Sequence, residues 1–296
     1  CHSATLPLCH SATLPLCHVA TMLLRPYILT LALAVPAAVA QDLAQPGPFL
    51  ASSRTVTVTR ANSTTFSAVL WYPATSTAAG APLDPAGAPY PAISFGHGFL
   101  QTVDRYQSTL RHLATHGHLV IASTSEGGLF PNHSNFASDI LRCLTFLEEQ
   151  NATPGSFLQG AVDTNQFGLS GHSMGGGASI LAASDPRIHA VANLAAANTN
   201  PSSIAASALV RVPMLLLSGS ADTIVPVASN GQQMYNTTPA PRLLPVIQGG
   251  SHCGFQDVSI LGCDAIVMPR ATQLELTRRQ LTTFFNLHLK DQDALW

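Results

Sequence analysis

The pentapeptide Gly171-His172-Ser173-Met174-Gly175 constrains this chain more than any other feature. A short apolar run with strand character, Gln166 to Leu169, leads into it. A run rich in glycine and alanine, Met174 to Ala183, leads out with helical character. A strand that turns directly into a helix needs a sharp bend. The close neighbours must be small, and the residue at the bend projects its side chain above the sheet. A glycine-rich turn around an ordinary serine is the plain alternative, so the partners of Ser173 decide between the two.

Composition permits a large core around such a turn. Of 296 residues, 46% are hydrophobic and 9% are charged, which argues against disorder and supports one large α/β domain or at most two small ones. Net charge is -2 and no basic run exists, so nucleic acid is not an expected partner. Thr55 to Arg60 and Phe66 to Tyr72 read as strands, and Thr75 to Pro89 as a loop. Strand and helix patterns then alternate. Strands are expected at Tyr90–Phe95, Leu119–Ser123, Gln166–Leu169, Ala190–Leu194, Val212–Leu217 and Leu243–Ile247. Helices are expected at Arg105–His116, Asn135–Glu149, Met174–Ala183, Ala228–Tyr235 and Thr272–Leu289. This alternation implies βαβ units in a mostly parallel sheet flanked by helices, with antiparallel strands at one edge. No second domain and no insertion long enough for a lid is visible.

The first 40 residues stand apart. Cys1 to Leu8 repeats exactly as Cys9 to Leu16, and a third copy beginning at Cys17 decays into Met22. Residues 1–21 are read as a repetitive leader upstream of the true start. The cysteines and histidines of the repeat lack the paired spacing of zinc sites, so no metal is expected there. Residues 22–40 read as a signal peptide. Arg25 supplies the positive end, Tyr27 to Val35 an apolar stretch too short to span a bilayer, and Ala38-Val39-Ala40 a cleavage site. Residues 41–296 would then be a single exported domain, secreted or periplasmic, with no membrane span remaining after cleavage. Export permits disulfides. Cys253 and Cys263 lie close together in a loop-rich stretch and are paired, a closure worth about 3 kcal/mol in the chain-entropy model. Cys143 falls on the apolar face of a helical pattern and is expected as a buried free thiol. Asn62, Asn132, Asn151 and Asn236 begin N-x-Ser/Thr triplets, a pattern too common to identify a host.

A serine hydroxyl is a weak nucleophile and needs a base. Asp222 follows the expected strand Val212–Leu217, and His252 follows the last strand in Gly249-Gly250-Ser251-His252. The order serine, acid, histidine is that of a strand–turn–helix nucleophile with its triad. Carboxyl ends of parallel strands are where such sheets carry functional groups. Asp185 is better read as a turn residue, while Asp257 and Asp264 follow the histidine and are in the wrong order. His288 lies in the terminal helix. His97 precedes the serine and is read as shaping its loop, and His172 as a neighbour in the turn. A tetrahedral intermediate needs hydrogen-bond donors for its oxyanion. The backbone N–H groups of Met174 and of Phe99, in Gly96-His97-Gly98-Phe99, are the candidates. Neither metal nor organic cofactor is required by this chemistry.

At these residues the chain resembles the bacterial cutinases, which are polyester hydrolases, and the related chlorophyllases. Gly171 to Gly177 is similar to the cutinase turn around the nucleophile, and Asp222 to Ala228 to the cutinase acid loop. His97-Gly98-Phe99-Leu100 and His116 to Ala122 are similar to both groups. The resemblance spans roughly Gly47 to Lys290. It implies the α/β-hydrolase fold without a large lid, and a monomeric carboxylic-ester hydrolase acting on a small or polymeric ester. Two positions depart from the pattern. Leu194 to Asn198 holds no tryptophan where polyester-degrading cutinases carry one, and Met174 stands where chlorophyllases carry arginine. A chlorophyllase-like hydrolase of a long-chain alcohol ester is therefore the alternative activity. A catalytically silent binding protein on the same fold is the non-enzyme alternative, and retention of all three triad residues argues against it.

Overall fold

The computed structural model describes residues 42–295. The expectations for the leader, the signal peptide and the cleavage site lie outside the described residues. β1 (Leu50–Thr59) and β2 (Thr65–Ala74) form an antiparallel hairpin, with Leu50 opposite Ala74 and Thr59 opposite Thr65. Loop residues 75–89 lap back over β1, where Gly80 N–H donates to the Ser53 carbonyl at 2.9 Å and Arg54 donates to the Gly80 carbonyl at 3.0 Å.

From there strand and helix alternate. β3 (Tyr90–Gly96), α1 (Gln107–Thr115), β4 (Leu119–Ser123), α2 (His133–Ala152), β5 (Val162–His172), α3 (Met174–Ala182), β6 (Ile188–Leu194) and β7 (Met214–Gly219) follow in order. Two short helices, α4 (Ser203–Ser207) and α5 (Gly231–Thr237), flank β7. β8 (Arg242–Leu243), β9 (Val246–Ile247) and α6 (Arg270–Leu289) complete the described elements. The sheet order is β1-β2-β4-β3-β5-β6-β7-β8, with β9 also on β7. Every pairing from β3 onward is parallel, and β2 joins β4 antiparallel. This is the expected mixed sheet with its antiparallel edge, the α/β-hydrolase arrangement.

Period-two alternation sorts the strand residues into two cores. Ala92, Leu119, Ile121, Phe167, Leu169, Val191, Met214 and Leu216 face one layer, which also receives Phe136, Ile140, Cys143, Leu144 and Leu147 of α2. Ile93, Phe95, Val120, Ala122, Ala192, Leu194, Leu215 and Leu217 face the other, against Leu110 and Leu113 of α1 and Leu281 and Phe285 of α6. α2 starts where the Asn132 side chain accepts the Asn135 N–H at 3.0 Å. Its buried Asp139 receives two hydrogen bonds from Arg60, at 2.6 and 2.7 Å, so that charge is paired across to the hairpin. Cys143 is free and buried, and burial pushes its thiol pKa up.

The expected strand Leu243–Ile247 is not continuous. It breaks into the two-residue β8 and β9 at Pro245, which has no N–H for the ladder and offers only its carbonyl, accepted from Ser218 N–H at 3.0 Å. The helix expected over Ala228–Tyr235 is a 3-10 turn, Val227–Ser229, followed by α5. α4 carries no apolar periodicity and went unread; Ser202 caps it by accepting Ala205 N–H at 3.2 Å.

His118, at the entrance to β4, is fully buried, and its Nε2 meets Asn286 Oδ1 at 2.9 Å. Burial, reinforced by the charge of Lys290, lowers its pKa from 6.5 to about 3. The unfolded chain therefore binds a proton at this residue below pH 6.5 that the native chain refuses. Native stability is lost as pH falls from 6.5 toward 3, by up to about 1.4 kcal/mol per pH unit from this group. His118→Gln should flatten the pH dependence of urea unfolding between about pH 6 and 4. Equal slopes in the two proteins would contradict this account.

Candidate active site

Three glycine contacts shape the turn after β5. A Cβ on Gly175 would overlap the Gly96 carbonyl, and a Cβ on Gly171 would overlap the Gly175 backbone. A Cβ on Gly177 would overlap the Ala197 carbonyl. Only glycine lets β3, β5 and α3 approach this closely. Between them Ser173 adopts φ 56°, ψ -119°, a conformation that costs a non-glycine residue on the order of 1–3 kcal/mol. Its N–H donates to the Leu194 carbonyl at 2.9 Å, and its carbonyl accepts Gly177 and Ala197 N–H at 3.1 and 2.9 Å. The strained backbone is held from both sides. The side chain stands at the N-terminus of α3, where the Met174 N–H is among those without an intrahelical partner.

Asp222 lies just beyond β7 and His252 beyond β9, on two loops joined by the Ala221 N–H donating to the Gly250 carbonyl at 2.8 Å. His252 Nδ1 donates to Asp222 Oδ2 at 2.7 Å, with both groups buried. Asp222 Oδ1 accepts Ile224 and Val225 N–H at 2.9 and 2.7 Å, so the carboxylate is held in one orientation. Behind His252, Gln273 of α6 exchanges two hydrogen bonds with the Ser251 backbone, at 3.0 and 2.8 Å. The Cys253 and Cys263 sulfurs form a disulfide beside it.

The other carboxylates and histidines have different occupations. Asp185 is paired with Arg187 at 2.9 Å. Asp257 accepts the Ser108 N–H at 2.9 Å and the Ser108 hydroxyl at the start of α1. Half-buried His288 packs its ring edge-on against Phe284. His97 is buried with Nδ1 2.8 Å from the Gly98 carbonyl and Nε2 2.9 Å from the Ser125 carbonyl, which ties its loop to the end of β4. Burial lowers its pKa.

Tyr106 was not legible as a site residue. It sits just before α1, and its hydroxyl accepts Gly98 N–H at 3.1 Å and meets His172 Nδ1 at 2.9 Å. One phenol thus braces the loop carrying Phe99 and the histidine next to Ser173. The His172 ring lies 4.5 Å from the His252 ring. Burial, then the charge His252 can acquire, holds the His172 pKa well below its usual value. A neutral His172 adds no positive charge against a protonated His252.

Two cavities meet at Ser173. One, of about 250 Å³, is lined by Gly98, Phe99, His172, Ser173 and His252, together with Ile260 and Leu261 of the disulfide loop. The other, of about 550 Å³, is more open and is lined by Phe99, Leu129, Phe130, Met174, Ala197 and Asn198. A larger cavity of about 620 Å³, lined by residues 44–51 with Arg111 and Arg278, shares no residue with either. Among the described residues no group of three or more His, Cys, Asp or Glu is placed to hold a metal. The arrangement offers a buried acid–imidazole pair and a strained serine where the two cavities meet.

Residues 35–261 match the family described as PET hydrolase-like. The chain belongs to that family. Relatives of this PET hydrolase-like chain include Cutinase est1 of Thermobifida alba, 28% identical over 152 residues, which is 51% of this chain and 49% of that protein. Cutinase 2 of Thermobifida cellulosilytica is 29% identical over 153 residues, 51% of this chain and 55% of that protein. Bis(hydroxyethyl) terephthalate hydrolase of Streptomyces coelicolor is 31% identical over 140 residues, 46% of this chain and 42% of that protein. The chain spans about half the length of the curated relatives it matches.

The glycine contact predicts a large effect from a single methyl group. Gly175→Ala should destabilise by at least about 2 kcal/mol, because backbone rather than a movable side chain opposes the Cβ. Chemical denaturation measures this, and an unchanged midpoint would refute the close-approach argument. Mass spectrometry of the non-reduced protein should show the 253–263 crosslink, with Cys143 free.

Proposed function

We propose that this chain is an exported serine carboxylic-ester hydrolase whose triad is Ser173, His252 and Asp222. The observation that carries the reading is the 2.7 Å His252–Asp222 pair, buried beside the same cleft that Ser173 lines. His252 takes the Ser173 proton as Oγ attacks the ester carbonyl, and Asp222 holds the imidazole tautomer and stabilises its cation. The Met174 and Phe99 N–H groups receive the developing oxyanion. The alcohol leaves with a proton from His252, and water, activated by the same imidazole, releases the acid.

The substrate is an ester of a short or medium acyl chain, extending to cutin-like polyester. Membership of the PET hydrolase-like family and the cutinases and terephthalate-ester hydrolase among its relatives support this class. The apolar lining of the two cavities supports it independently. The disulfide loop walls the narrower cavity. Among the described residues no helix is long and apolar enough to cross a membrane.

The test is kcat/KM on p-nitrophenyl butyrate, on a polyester film and on chlorophyll a, with Ser173→Ala as control. Hydrolysis of butyrate should fall by about 10⁶-fold in the mutant. Turnover of chlorophyll above that of butyrate would replace the proposed substrate class with a long-chain alcohol ester. Inactivity of the parent on all three would refute the enzyme reading.

A further inference from the structure

Asp264 comes after the histidine in sequence, which bars it from the usual place of a triad acid. The fold nonetheless returns it to His252. Its Oδ2 accepts the His252 N–H at 2.6 Å and its Oδ1 accepts the Cys253 N–H at 3.0 Å. Both carboxylate oxygens are therefore committed to the backbone that carries the imidazole. His252 begins a 3-10 turn, Cys253–Phe255, and these two amides lie at its start, where backbone donors lack partners within the turn. Hydrogen bonds from amides to a carboxylate are among the stronger ones available.

Three further contacts hold the carboxylate in reach. The Cys253–Cys263 disulfide places residue 263, and so its neighbour Asp264, against the turn. Arg270, at the start of α6, donates to the Cys253 and Gln256 carbonyls at 2.7 and 2.6 Å and to the Ser259 hydroxyl. Asp257 anchors the middle of the same loop to Ser108 of α1. The loop is thus tied to two helices and to itself.

The ring and the main chain of His252 are held by different acids. Asp222 sets the rotation of the imidazole and its tautomer. It cannot by itself set how far the Cα stands from Ser173. We propose that Asp264 is a positioning residue for His252, clamping the backbone so that Nε2 stands where the Ser173 hydroxyl needs it. This rests on the triad assigned above. A displacement near 1 Å at such a base costs on the order of 100-fold in rate. Substrate binding depends on the cavity walls and should be little affected.

Asp264→Ala and Asp264→Asn, assayed on p-nitrophenyl butyrate beside Ser173→Ala, test the clamp. The alanine variant should lose about 10- to 100-fold in kcat with KM within about twofold of the parent. The near-isosteric asparagine keeps one acceptor oxygen and should fall between alanine and the parent. If the alanine variant does not fold, asparagine decides alone: a loss of about threefold or more in kcat at constant KM supports the clamp. Parent-like kcat in the folded variants, with Ser173→Ala inactive, overturns the clamp and leaves the triad standing. A rise in KM at unchanged kcat also overturns it, because Asp264 would then only shape the cavity wall. Full activity in Ser173→Ala overturns both assignments.

Discussion

Backbone meets backbone where β3, β5 and α3 converge, and the site is hung on that contact. A methyl group on Gly175 would collide with the Gly96 carbonyl, and one on Gly171 with the Gly175 backbone. The approach brings the loop after β3, which carries Phe99, beside the turn that carries Ser173. The Phe99 loop and the Ser173 turn are therefore set by main-chain geometry, which thermal motion of side chains disturbs little. The strain at Ser173 is affordable for the same reason, since three backbone hydrogen bonds hold it in place.

The imidazole side of the site is built differently. Two loops past β7 and β9 carry Asp222 and His252, joined by the Ala221 N–H on the Gly250 carbonyl and by an approach of Gly219 to the Gly250 backbone that leaves no room for a Cβ. Several groups near His252 are tethered in turn: Asp222 to two amides, the Ser251 backbone to Gln273, and Tyr106 to Gly98 and His172. A low dielectric strengthens such chains and penalises any member left unpaired. Main-chain contact thus dominates around Ser173, whereas around His252 hydrogen bonds to Asp222 and Gln273 supplement it.

Local patterns carried most of this into the sequence. Gly171 to Gly175 announced the turn because its chemistry is contiguous, and serine, acid and histidine could be ordered because each follows an apolar strand pattern. The cysteine pair was legible because its members are only ten residues apart. Tyr106 and Asp264 were not legible as site residues, since each acts on a partner that sequence spacing does not reveal. Tyr106 meets His172 across 66 positions, and its own surroundings read as the start of a helix. The last strand was read as continuous because Leu243, Leu244, Val246 and Ile247 are apolar, and Pro245 between them outweighed that pattern.

That interrupted strand also governs how the molecule meets its own kind. A sheet edge recruits another chain through a row of unpaired amides and carbonyls. At β8 and β9 the row is two residues long and broken by a residue with no amide hydrogen. At the opposite margin, loop residues 75–89 fold over β1, where the Arg54 guanidinium of the strand donates to the Gly80 carbonyl. Each border of the sheet is thereby blunted, so crowded copies of the chain have little to zip together.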